Sequence, residues 1–153
     1  MEKMRQYIRN IIRSLQIADH MTYVTYPLIK ENRLLLKVFD EIYNAIKLCI
    51  EIILNQEEGE NEFRLIPNSF NSFFNNYAKD YGLNNEQIKS LIEIIELNKK
   101  HKNSAMEFSR DCNIVILSDN LTTRVLDIWI IKQYLLLAKE FFVNVSKRIG
   151  TKV

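Results

Sequence analysis

Arg5, Arg9, Arg13 and His20 are the residues of this chain whose types and spacing could do chemistry together. On a helix turning about 100° per residue they share one sector, with Gln16 beside them and Met4, Ile8 and Leu15 opposite. Arg13 and His20, with six residues between them, stand nearly in line and within reach of one phosphodiester. In RNA the 2′-OH supplies the nucleophile. A histidine near its ordinary pKa can move the proton, and a guanidinium can hold the charge of the phosphorane. Arg5, Arg9 and Gln16 would then meet neighbouring phosphates. The plainer reading is a solvated basic face, which is what charge runs on helices usually are. The spacing leaves both open.

Other chemistries are absent as patterns. A di-iron bundle places a glutamate three residues before a histidine, and here those positions hold Ile17 and Asn98. Two histidines and two distant cysteines, Cys49 and Cys112, make neither a zinc site nor a disulfide framework. Gly59, Gly82 and Gly150 are isolated, so no phosphate-cradling loop exists, and no serine stands in a nucleophile elbow. No metal and no cofactor are expected. Asp19, at the edge of an apolar sector, needs a partner, and Arg110 or a backbone N–H is the expected one. His101 reads as a cation at a helix C-terminus or as an exposed residue, and Trp129 as core or interface.

The elements that position these residues follow from apolar spacing. A first helix is expected over about 2–26, with Met4, Ile8, Ile11, Leu15 and Ala18 inward and Pro27 stopping or kinking it. A second, over about 31–56, carries Leu35, Phe39, Ile42, Ile46, Cys49 and Ile53 on one stripe. Leu34, Val38, Ala45, Leu48 and Ile52 make another, so this helix belongs at the centre. The glutamate-rich segment around Gly59 is a solvated turn. A short helix over 68–81, capped by Asn68 or Ser69 and stopped by Gly82, would bury Phe70, Phe73, Phe74, Tyr77 and Tyr81. A fourth, ending near 101, turns Ile88, Leu91, Ile92 and Ile95 inward. Residues 108–118 break the rhythm with Ile114, Val115 and Ile116 and predict an extended piece or small hairpin. Asp119 and Asn120 read as a turn and cap before a last helix over about 123–149. Its stripe is Ile128, Ile131, Leu135, Ala138, Phe142, Val145 and Ile149. Leu126, Trp129, Ile130, Tyr134, Leu137 and Phe141 lie beyond it, an excess that predicts association with a partner.

The chain has 153 residues, three glycines, two prolines and a net charge of +2, so its total charge points to no polyanionic partner. No apolar stretch makes a signal segment or a membrane span. The expectation is one all-α domain over 1–153, a four- to five-helix bundle with an extended excursion before the last helix, in a reducing cytoplasm.

An all-helical bundle carrying Arg13…His20 resembles the HEPN superfamily. The resemblance implies a bundle that dimerises and, in many members, a metal-independent ribonuclease with the arginine and histidine in the dimer cleft. Other members lack the motif and act as binding modules. Here the motif lies on the first helix rather than a later one, and Ser14 follows the arginine where the family often has an amide or acid. The stretches from Ala18-Asp19-His20 to Tyr26-Pro27-Leu28, and Glu107-Phe108-Ser109-Arg110, also resemble small archaeal helical proteins without an assigned role. The leading expectation is a non-catalytic interaction module acting as a homodimer or in a small protein complex. The alternative is an endoribonuclease acting on RNA through Arg13 and His20.

Overall fold

The computed structural model describes residues 2–59, 68–104, 106–110, 113–117 and 123–150. Among these residues, six α-helices and a three-stranded antiparallel sheet make the expected helical bundle, with the extended excursion before the last helix. The chain order is α1 (Glu2–His20), α2 (Tyr26–Ile29), α3 (Arg33–Glu58), α4 (Ser69–Asn76), α5 (Asn85–Lys102), β1 (Met106–Arg110), β2 (Asn113–Leu117), β3 (Thr123–Leu126) and α6 (Ile128–Arg148). No helix among the described residues is long and apolar enough to cross a membrane.

α3 is the axis of the bundle. Its two apolar stripes are buried from Leu35 to Leu54, apart from the half-buried Leu48, with Phe39, Ile42 and Ile53 fully enclosed. α1 and α6 pack along it, and α4 covers it further on. Among its charged residues Glu51 is also buried, and its charge reinforces the effect of burial in raising the Tyr7 hydroxyl above its ordinary pKa.

α1 and α2 form a continuous rod. Pro27 has no N–H and its ring crowds the carbonyl four residues back, so a regular helix should stop there. A π-helical turn, Met21–Thr25, opens the rod instead, the Tyr26 N–H reaching back to the Met21 carbonyl. The rod therefore runs three residues beyond the expected end at 26, to Ile29, where Lys30 at φ 55° closes it.

The predicted helix over 68–81 is two pieces, α4 and a 3₁₀ turn, Ala78–Tyr81, which Gly82 ends in the left-handed region at φ 74°. Asn68 makes no side-chain cap. Phe73 and Tyr81 are buried, whereas Phe70, Phe74 and Tyr77 are half-buried. α5 opens on a reciprocal cap, in which Asn84 Oδ1 accepts from the Gln87 N–H at 2.8 Å and Gln87 Oε1 from the Asn84 N–H at 3.0 Å. Its inward side is rotated from expectation. Leu91, Ile94, Ile95 and Leu97 are buried, but Ile88 is half-buried and Ile92 is exposed, because the face turned to α3 and β2 includes Asn98.

The excursion is a meander rather than one short strand. β2 pairs with β1 and β3, and Ile114, Val115 and Ile116 are all buried. β3 takes up residues expected to begin the last helix. Thr123 and Val125 suit a strand, and pairing with β2 satisfies backbone groups that a helix start would leave bare. α6 begins after Asp127, whose carboxylate accepts from the Ile130 N–H at 2.8 Å. Asp119 and Asn120, the expected cap, lie outside the described residues.

Candidate functional site

The candidate site is the outer side of α6. This helix buries Ile131, Leu135, Ala138 and Val145 on one stripe and Tyr134, Leu137 and Phe141 on a second. Tyr134 and Phe141 reach inward to Phe39 and Phe73, with ring centroids 6.3 and 5.6 Å apart. Of the residues expected to form an uncovered strip, Leu126, Tyr134, Leu137 and Phe141 are thus core, Ile130 is half-buried, and Trp129 alone is exposed. The uncovered strip is a third one: Trp129, Leu136 and Val143 are 69%, 58% and 47% exposed. They stand seven residues apart, nearly in line along the helix.

The π-helical turn widens this face. Tyr23 and Val24 are exposed beside α6, and Leu28 and Ile29 follow on α2. Lys132 stands between the rings of Tyr23 and Trp129, 5.3 and 5.0 Å from their centroids. Further along, Lys139 pairs with Asp19, so α1 and α6 run antiparallel. Lys139, rather than the expected Arg110, is the partner that Asp19 needs, and the Arg110 side chain lies outside the described residues.

Depressions flank α6 on both sides. One of about 360 Å³ between α1 and α6 is lined by Leu15, Asp19, His20, Val24, Lys139 and Phe142, among others. The other, about 430 Å³, separates α6 from α5 and includes Gln87, Glu93, Arg124, Leu136 and Glu140. There Gln87 Nε2 donates to Glu140 Oε2 at 3.3 Å, and Arg124 hydrogen-bonds the Tyr134 hydroxyl.

Arg5, Arg9, Arg13, Gln16 and His20 are all exposed, as their helical phase requires. Arg9 is engaged within α1, donating to Gln6 Oε1 at 2.8 Å and lying 4.0 Å from Glu2. Arg13 and His20 line different depressions. His20 borders the one beside α6, while Arg13 borders one of about 390 Å³ between α1 and α3, with Asn10, Lys37, Glu41 and Asn44.

A second charged cluster escaped the sequence. The His101 ring, on α5, is held between two carboxylates: Nδ1 meets Glu107 on β1, and Nε2 lies 3.3 Å from Asp40 on α3. The bond to Asp40 chiefly, opposed by burial and assisted by Glu107, pushes the imidazole up to about 9. With both ring nitrogens committed as donors, His101 has no lone pair to act as a base, and it ties the sheet to the bundle. Its cationic character was expected; its enclosure was not, since Asp40 is distant in sequence. No group of His, Cys, Asp and Glu among the described residues is placed to hold a metal ion.

Compared with models of known families, with curated proteins and with solved structures, the chain finds no match.

Proposed function

We propose that this chain is a non-catalytic helical interaction module, HEPN-like in type, that acts by self-association through the outer face of α6. The observation that carries it is the in-line exposure of Trp129, Leu136 and Val143, extended by Tyr23 and Val24. Large apolar side chains aligned on a water-exposed helix face are the kind of surface a partner covers. Trp129 is the natural anchor, since large aromatics at the centre of a desolvated patch carry much of an interface's energy. A cytoplasmic setting goes with the reading: Cys49 is a free, fully buried thiol whose pKa burial raises, so it is inert rather than cross-linking.

Sedimentation over a range of concentrations tests it. The 18.2 kDa chain should reach twice its mass. Trp129→Ala with Leu136→Ser should return it to a monomer of unchanged helicity. A wild-type monomer at the highest concentrations would count against the proposal.

A second reading, a metal-independent endoribonuclease using Arg13 and His20, has one observation in its favour. The depression that His20 lines is bounded by Lys139 and Phe142 of α6. Association through α6 would bring His20 to the subunit boundary, where Arg5, Arg9 and Gln16 could track RNA phosphates.

A further inference from the structure

We infer that the groove between α1 and α3 is a binding site for a small hydroxylated anion, a single acid group on a body the size of a hexose, with Arg13 holding the acid. The site lies within one chain and does not depend on association through α6.

The groove is polar where a seam between packed helices is ordinarily apolar. Ser14 is 4% exposed and is the one polar side chain among the buried residues of α1. Asn44 of α3 reaches across the seam and donates to its hydroxyl at 2.9 Å. One helical repeat earlier on α1, the Tyr7 hydroxyl is raised by burial and by the charge of Glu51, one repeat later on α3. The two helices therefore run antiparallel. That direction sets the Lys37–Glu41 pair one to two turns along the groove from Arg13.

The polar groups keep bonding capacity. Arg13 has no ion-pair or hydrogen-bond partner among the described residues. Asn10 uses its oxygen to accept from the Gln6 amide at 3.1 Å, which leaves its own N–H groups to donate. Ser14 accepts from Asn44, which leaves the serine proton and the Asn44 oxygen uncommitted among the described residues. Lys37 and Glu41 are joined at 3.3 Å, and such a pair still holds N–H groups on one side and lone pairs on the other.

These capacities select the ligand. Cations exceed acids by one in the lining, and the unpaired cation is Arg13. Its planar fork takes a carboxylate or a phosphate through two parallel bonds. A metal ion is poorly served, because the one acid, Glu41, is already engaged. A nucleobase finds no aromatic ring in the lining to stack on, and an aliphatic chain finds only Ile17 and Leu48. Donors and acceptors side by side suit hydroxyl groups, which are both at once. The groove, about 390 Å³, is within the range of small-molecule sites.

Calorimetric titration of the full chain tests this, with gluconate and glucose 6-phosphate as probes. At least one of them should bind tenfold or more tightly than glucose, which lacks the acid, and than acetate or inorganic phosphate, which lack the polyol. The better of the two decides between carboxylate and phosphate. Amide resonances of Asn10, Ser14 and Asn44 should move on binding. Arg13→Gln should weaken the better probe at least tenfold, whereas Lys89→Gln, which removes the same charge from the exposed side of α5, should leave it unchanged. Circular dichroism checks that both variants keep their helices. Failure of both probes to bind, equal losses in the two variants, or binding that glucose or a bare anion reproduces overturns the site. A short single-stranded RNA that moves the same resonances when neither probe does would give the groove to the RNA reading instead.

Discussion

α3 and α6 are built from the same kind of sequence and end in opposite surroundings. Both repeat apolar residues at steps of three and four over five or more turns. Around α3 every apolar side is covered, because α1, α4 and α6 lie about it. α6 has its first stripe on α3, its second against the aromatics of α3 and α4, and a third, through Leu136, that nothing in the described chain covers. Periodicity therefore counts the apolar sides of a helix but not its neighbours. The stripe left over after the chain's own core is filled is the one available to a partner.

The sharpest way to break this contrast is truncation. Phe39→Ala or Ile46→Ala removes atoms from an enclosed core and should cost about 2–5 kcal/mol of stability. Leu136→Ala or Val143→Ala, at concentrations too low for association, should stay within about 0.5 kcal/mol of wild type. Urea unfolding measures both. A core-sized loss from Leu136→Ala in the dilute protein would show that α6 is as enclosed as α3.

A smaller effect separates the two helix starts. α6 begins on a side-chain cap at Asp127, whereas Asn32 before α3 makes no such bond. Asp127→Ala should cost about 1 kcal/mol and speed amide exchange at Ile130, while Asn32→Ala should leave exchange in the first turn of α3 unchanged. Equal fraying at both starts would remove the distinction.

The pH dependence is smaller and comes from His101 of α5, held against Asp40 of α3. Folding raises His101 above the ordinary imidazole value to about 9, so it favours the protonated form. The contribution is whole below the ordinary value near 6.5 and is lost as pH rises through about 9. Asp40 is nearly half exposed and added salt should weaken the effect. Thermal unfolding of wild type should lose stability across that window, and His101→Gln should lack this component. Identical pH profiles for the two proteins would rule it out.

What could be read from the chain divides along the same line. α1 and α3 were legible because their apolar stripes repeat for many turns, and Pro27 and Gly82 mark a break and a stop by local stereochemistry. β3 was not legible, since Thr123 and Val125 fit a helix or a strand and only pairing with β2 decides. The exposed apolar strip was expected on the right helix but, Trp129 apart, assigned to the wrong residues. Tyr134, Leu137 and Phe141 look as surplus as Leu136 until α3, α4 and α5 are placed around them. Asp19–Lys139 and Asp40–His101 were beyond reach for the same reason: each joins elements far apart in sequence.

The last prediction has the smallest expected effect and bears on the basic side of α1. Arg13 and His20 border different depressions, one between α1 and α3 and one between α1 and α6. The interaction-module reading therefore expects diverse RNAs to survive incubation with the protein, in EDTA or with magnesium, and His20→Ala to change nothing. The dimer is where this could fail, since His20 lies beside the α6 face. A cleavage that persists in EDTA, requires the 2′-OH and vanishes in both His20→Ala and Arg13→Ala would make the protein a nuclease. In that case disrupting α6 should abolish cleavage together with association, because the site would exist only between subunits. Arg5→Ala should then weaken RNA binding in a salt-dependent way without altering the chemical step, because it lies two helical turns from Arg13. A monomeric α6 variant that still cut RNA would separate the two faces altogether.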